Sequence, residues 1–168
     1  MPELPEVETV ARSLVEGQGV SKGILGLAIS EAHIAWPRTI AEPSADEFVQ
    51  RIRGQKVNGV GRRAKYIRID LSEDTLLIHL RMTGALVIDS PDDPLSKYSQ
   101  VQFLLDGGLR LSFNDARKFG RIWLLDDPAT ILNGLGPEPL EPSLKPAAFH
   151  AMLANRSRQL KPLLLDQS

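Results

Sequence analysis

The sequence predicts an α+β fold that is mainly β: an antiparallel β-sandwich with flanking helices, followed by the first helices of a truncated helical module. Three observations carry this. Between Leu25 and Leu125 the apolar residues fall in short runs bounded by turn residues. One amphipathic helical pattern precedes those runs and a second interrupts them. At Asp126 the composition shifts to proline and glycine, and two short helical patterns follow.

In the first helix, Pro5 suits the opening turn and Glu6 and Glu8 suit the positive end of the helix dipole. Val7, Val10, Ala11, Leu14 and Val15 make one apolar stripe, and Gly17 is a stop. Leu25, Leu27 and Ile29 alternate as a strand does. A second helix starts at Ser44, with Glu47 completing a capping box; Phe48 and Ile52 face inward and Gly54 ends it. Ile67, Ile69 and Leu71 alternate again. The segments Thr75–Leu80, Ala85–Ile88, Val101–Leu105, Leu109–Phe113 and Arg121–Leu125 are apolar, β-branched or aromatic, and Asp106-Gly107-Gly108 is a tight hairpin turn.

Gly136-Pro137-Glu138-Pro139 and Glu141-Pro142 are a stiff linker. Beyond it, Ser143 to Asn155 is helical with Leu144, Ala148, Phe149, Met152 and Leu153 on a face, and Gln159 to Gln167 begins another helix. These two helices make too little core to stand alone, and the second runs to Ser168. The expected organisation is therefore residues 1–126, a linker 127–142, and the start of a helical module at 143–168 that continues in a longer protein.

With 42% apolar and 24% charged residues, the chain is neither disordered nor membrane-embedded in type. A cytoplasmic protein is the expectation. There is no cysteine, and His33, His79 and His150 lack ligand spacing, so no metal or other cofactor is expected in this chain. The net charge of −1 does not by itself indicate a nucleic-acid partner. The distribution says more: Arg51 to Arg68 holds seven Lys/Arg and no acid, and Arg117, Lys118, Arg121 and Arg156, Arg158, Lys161 form two further clusters. Separate clusters can merge into a phosphate-facing stripe on folding, or remain solvated surface charge.

The opening Met1-Pro2-Glu3-Leu4-Pro5-Glu6 is the most informative stretch. Initiator methionine is normally removed before a small residue, and here that exposes a secondary amine. Such an amine attacks an electrophilic sugar carbon and proceeds to an iminium. With an α-amino pKa of ~7.7–8.0, roughly one in eight is neutral at pH 7, against about one in 2,500 for a lysine. Glu3 and Glu6, three apart, share a face if the helix starts early, and a carboxyl there can shuttle protons. On pattern alone, the same prolines and glutamates are equally what helix capping uses.

The blocks Pro2–Thr9 (PELPEVET), Trp36-Pro37, Arg62–Tyr66 (RRAKY), His79–Gly84 (HLRMTG), Asp115–Gly120 (DARKFG), Leu135–Leu140 (LGPEPL) and Leu160–Gln167 (LKPLLLDQ) resemble, in order, those of the formamidopyrimidine-DNA glycosylases. Leu4 favours this branch over the related endonuclease VIII branch, which opens PEGPE. The resemblance implies a bacterial base-excision enzyme, both DNA glycosylase and AP lyase, that removes oxidised purines (8-oxoguanine, formamidopyrimidines). It implies a monomer acting on damaged double-stranded DNA near the nucleoid, with no membrane partner. By resemblance, Pro2 is the nucleophile at C1′, Glu3 the proton donor of base excision, Glu6 a lining residue, and Lys65 the proton donor in β-elimination.

Met82, Arg117 and Phe119 resemble the three residues that fill the gap left by an everted base. His79 and Arg156 resemble phosphate contacts. Lys97-Tyr98 stands where the family usually has lysine-histidine, so that contact loses a potential cation, and Ala116 replaces a common proline. The resemblance also makes 1–126 the catalytic domain and 143–168 the start of a helix-two-turn-helix module. The rest of that module, and a four-cysteine zinc finger with the δ-elimination arginine, are expected beyond Ser168, so this piece alone is expected to be weak or inactive. A non-catalytic lesion- or DNA-binding relative is the alternative; it needs none of Pro2, Glu3 and Lys65. A β-sandwich scaffold with no nucleic-acid role is a third, separable by salt-dependent DNA retention.

Overall fold

A computed structural model describes residues 2–19, 22–154 and 156–166. Met1, whose removal the sequence suggests, lies outside them, as do Asn155, Gln167 and Ser168 at the expected helix ends. The chain divides into two compact units, Met1–Pro128 and Ala129–Ser168.

In the first unit, α1 spans Leu4–Glu16, with Glu3 at its N-cap and Gly17 at its C-cap. It buries Val7, Ala11 and Leu14 on β3 (Gly59–Arg63) and β4 (Tyr66–Asp70). Val15, expected on the apolar stripe, is exposed at 40%, at the margin of a surface pocket that it lines with Val60 and Arg62 of β3. Helix α2 spans Ala45–Ile52; Ser44 caps it by accepting the Glu47 main-chain NH at 3.3 Å. The Glu47 carboxylate turns to Arg51, at 3.6 Å, rather than back to the cap as a full box requires.

The remaining strands are β1 (Ile29–Ile34), β2 (Ile40–Glu42), β5 (Thr75–His79), β6 (Ala85–Asp89), β7 (Ser99–Leu105), β8 (Leu109–Asn114) and β9 (Arg121–Leu125). One sheet has the order β1-β7-β8-β6 and the other β2-β9-β5-β4-β3, antiparallel except for β2 with β9. This is the β-sandwich that the alternating apolar runs predict. Phe48, Phe103, Phe113, Ile78 and Ile122 are fully buried in its core. Two sequence expectations change. Leu25 and Leu27 are not in a strand, because Gly26 at φ 81° turns the chain there and the strand starts at Ile29. The basic run contains an edge strand, β3, which its charges and glycines conceal.

Crossings between the sheets matter most for the site. β5 and β9 pair in one sheet while β6 and β8 pair in the other, so the turn 80–84 and the loop 115–120 both bridge the sandwich at the same end. Segment 90–98 leaves β6 opposite Arg110 and returns at Ser99, opposite Asn114, to that same end.

In the second unit, α3 (Ala129–Leu132), α4 (Pro146–Ala154) and α5 (Leu160–Leu164) contain no buried residue among those described. Residues 127–142, expected to be linker throughout, include α3: Pro128 precedes its first residue, where a fixed φ suits a helix start.

Candidate active site

The first turn of α1 sits against the sheet's cationic side chains. Glu3 is the N-cap, and its main-chain NH donates to the Glu6 carboxylate at 3.0 Å. The Glu3 side chain completes a reciprocal capping box with the Glu6 main chain and also meets Lys65, whose Nζ lies 2.8 Å from Oε2. Lys65 occupies the turn between β3 and β4, with Ala64 before it at φ 49°, a left-handed conformation that folds the lysine inward. Its residue is only 4% exposed, and a buried ammonium requires such a partner. One turn along, Glu8 accepts from Arg62 Nε at 3.0 Å and Arg12 Nε at 2.9 Å, and the Arg12 and Arg62 hydrogen bonds hold its carboxyl below the usual range. Pro2 is half-buried beside Glu3. The structure thus brings Glu3 and Glu6 together on a first turn that is neither in the core nor turned from the cations, and it sets Lys65 against Glu3.

The basic run does not form a bare phosphate stripe. Arg51 pairs with Asp74, Arg62 with Glu8, Lys65 with Glu3, and Arg68 with Asp70 at 2.7 Å. The acids of the first fifty residues account for two of these pairs.

His79, expected at the surface to meet phosphate, is instead 2% exposed at the end of central strand β5. The Tyr66 ring stands edge-on to it at 4.8 Å. Burial, then the nearby Arg81 and Lys65 cations, push its pKa down to about 4. Nδ1 accepts the Arg81 main-chain NH at 3.1 Å, so the neutral ring carries its proton on Nε2, a buried atom with no hydrogen-bond partner among the described residues. A phosphate reaches that NH only if the surrounding chain shifts.

Met82 and Phe119, by contrast, project. They are 45% and 50% exposed, from the turn 80–84 and the loop 115–120. The Arg117 guanidinium lies over the Phe119 ring at 5.0 Å. Lys97 lies over the exposed Tyr98 ring, also at 5.0 Å, in segment 90–98. Trp36, which sequence reasoning left without a role, receives Lys118 Nζ at 4.2 Å over its ring. Arg156 lies exposed in the second unit, where Arg158 pairs with Asp166 at 2.9 Å.

Two residues beneath these loops escaped sequence reasoning. Asp115 is 1% exposed and accepts from Thr83 Oγ1, from Gly120 N at 2.7 Å and from Arg117 N at 3.1 Å. Buried Gln100 donates to the Asp115 carbonyl at 2.9 Å and the Tyr98 carbonyl at 3.0 Å. The signal available for Asp115 was an aspartate opening a short loop with a glycine five residues on, the pattern of a side chain capping its own turn.

A family model described as the N-terminal domain of formamidopyrimidine-DNA glycosylase matches residues 1–122. The chain belongs to the formamidopyrimidine-DNA glycosylase family. It is 43% identical to the formamidopyrimidine-DNA glycosylase of Protochlamydia amoebophila over all of this chain, and 46% identical to that of Chloroflexus aurantiacus over 99% of it. It spans 59% of the length of each. Among solved structures it resembles Lactococcus lactis Fpg in complex with abasic-site DNA: TM-score 0.87 and 29% identity, over 99% of this chain and 61% of that one. The complex of the same enzyme with FAPY-dG DNA matches equally well, at TM-score 0.87 over 98% of this chain. The zinc site that the resemblance implies for full-length formamidopyrimidine-DNA glycosylases has no counterpart here. The chain has no cysteine, and among the described residues no three His, Asp or Glu side chains converge, so these residues do not fit it. Among the described residues, no helix is long and apolar enough to cross a membrane.

Proposed function

We propose that the protein is a monomeric base-excision enzyme, a DNA glycosylase with AP lyase activity. It removes oxidised purines such as 8-oxoguanine and formamidopyrimidines from duplex DNA through the amine of Pro2. The observation that carries this reading is the buried ammonium of Lys65, 2.8 Å from the Glu3 carboxylate and one residue along from Pro2. A binding surface has little use for a buried ammonium held by a part-exposed carboxylate next to Pro2; proton transfer beside a nucleophile does. The similar Lactococcus lactis Fpg structures are complexes with abasic-site and FAPY-dG DNA, which supports the same substrate class.

With Met1 removed, the neutral Pro2 nitrogen attacks C1′, and the bond from C1′ to the damaged base breaks. The departing base takes the proton that the Pro2 nitrogen sheds on bonding, and a second proton, to the ring oxygen, opens the sugar as the iminium forms. Glu3 is placed to supply it and to take it back. The Glu3 carboxylate, having given up its proton, then takes one from C2′; the C3′–O bond breaks and the 3′ phosphate leaves, with Lys65 donating to it. Hydrolysis of the iminium frees Pro2. Met82, Arg117 and Phe119 fill the space the everted nucleotide leaves, two apolar groups and a guanidinium that reaches the orphaned base. Lys97, Tyr98 and Arg156 bind backbone phosphate, and His79 joins them only if its burial is relieved. Mixing the full-length protein with oxidised-purine duplex and borohydride traps a covalent adduct on this account, and Pro2→Gly weakens it at least tenfold. Undiminished trapping by Pro2→Gly rules the reading out.

A further inference from the structure

Three loops meet at one end of the sandwich, and a single residue holds all of them. The turn 80–84 and the loop 115–120 are adjacent crossovers between the sheets, and segment 90–98 returns beside them. The Asp115 carboxylate accepts from Thr83 Oγ1 in the first, and from Arg117 N at 3.1 Å and Gly120 N at 2.7 Å in the second. Its main-chain NH donates to the Tyr98 carbonyl in the third at 2.9 Å, and its carbonyl accepts from Gln100 at 2.9 Å.

The glycines flanking these loops leave no room for relaxation. A Cβ on Gly84 would lie 2.4 Å from the Leu80 carbonyl oxygen, and one on Gly120 would lie 2.3 Å from Phe113 Cζ. Lys118, at φ 59°, is held left-handed between Arg117 and Phe119. The side chains carried outward by this frame are Met82, Tyr98, Arg117 and Phe119, all exposed.

We propose that Asp115 is a positioning residue that fastens the Met82, Tyr98 and Arg117–Phe119 loops into one pre-ordered unit that enters the duplex as a whole. What the unit enters rests on the glycosylase reading above. The physical reason is entropy. Loops that order only on contact with DNA lose conformational freedom at the step where base stacking is also broken, whereas loops fastened beforehand do not. A buried carboxylate suits the task because it only accepts, and the turn 80–84 and the loop 115–120 both offer it donors, while the Asp115 main-chain NH ties the third loop through the Tyr98 carbonyl.

The test uses the full-length protein with Asp115→Asn, which keeps the shape but replaces one acceptor oxygen with an NH2 group facing donors. Two readouts go beyond simple stability. The first is excision of an oxidised purine from a paired duplex, against a duplex whose opposite base is missing, where there is no pair to break and no orphaned base to support. Asp115→Asn lowers the first rate at least tenfold and the second no more than twofold, and adding Phe119→Ala to it costs less than a further twofold. The second is amide exchange without DNA: residues 81–84 and 115–120 exchange at least tenfold faster together. If Asp115→Asn does not fold, Thr83→Val removes one donor at constant shape and shows the same selectivity, at three- to tenfold.

Faster exchange confined to 115–120 overturns the proposal, whatever the DNA assays give. Equal loss on both duplexes with an unchanged melting temperature overturns it too, as does a fully additive Phe119→Ala. A wild-type protein that excises from neither duplex overturns the glycosylase reading instead, and the exchange result still decides whether Asp115 fastens the loops.

Discussion

Burial at the end of β5 lowers the His79 pKa to about 4 from 6.5, and the Arg81 and Lys65 cations act in the same direction. The unfolded chain therefore binds the proton more readily between these values. The corresponding stability is complete above pH 6.5 and is lost as pH falls toward 4. It amounts to on the order of 3 kcal/mol. Denaturant unfolding at pH 7 and pH 4.5 is expected to show most of that loss, and His79→Gln to flatten it; an identical slope in both proteins would contradict the assignment. At Glu3, the chemistry separates two steps. Base departure needs a proton, whereas a preformed abasic site needs only the amine. Glu3→Gln in the full-length protein is expected to slow base release by about 10²–10⁴-fold and to leave borohydride trapping on abasic DNA within tenfold. Equal loss of both would remove Glu3 from the proton-donor role.

The elements were legible where a period marks them. Helix α1 announced itself by Val7, Ala11 and Leu14, and α2 by Ser44 and by Phe48 and Ile52. β4 alternates buried and half-buried residues as Ile67 and Ile69 require. β3 was not legible, since Gly59, Gly61, Arg62 and Arg63 have no apolar alternation; its pairing to β4 makes it a strand. The loop 115–120 shows the same limit. Its sequence names Arg117 and Phe119, but only the sheet partners reveal that Gly120 packs under Phe113. Gly120→Ala is therefore expected to destabilise the protein by roughly 1–3 kcal/mol, read as a lower denaturant midpoint at unchanged slope. A neutral substitution there would mean the loop gives way more easily than its contacts indicate.

At the scale of the molecule, the candidate site was legible as residues but not as electrostatics. Pro2 and Glu3 could be named as chemical types at a helix start, whereas Lys65, some sixty residues away, could be named only through the family resemblance of its RRAKY block. That Glu8 neutralises Arg62, that Lys65 is buried, and that His79 is not at the surface depend on how α1 lies on β3 and β4. Those pairings leave fewer cations for DNA than the basic run suggests. The 168-residue chain, spanning 59% of its relatives' length, is accordingly expected to nick damaged duplex at least about 10³-fold more slowly than the full-length protein. Raising salt is expected to widen the gap.

The most direct measurement is the position of the covalent bond. The full-length protein is trapped with borohydride on duplex containing 8-oxoguanine, digested, and the modified peptide sequenced by mass spectrometry. The account predicts a peptide that begins at Pro2, without Met1, and carries the reduced deoxyribose on the proline nitrogen. A sugar on Lys65 or any other lysine, or an adduct on a chain that still begins with Met1, would contradict it.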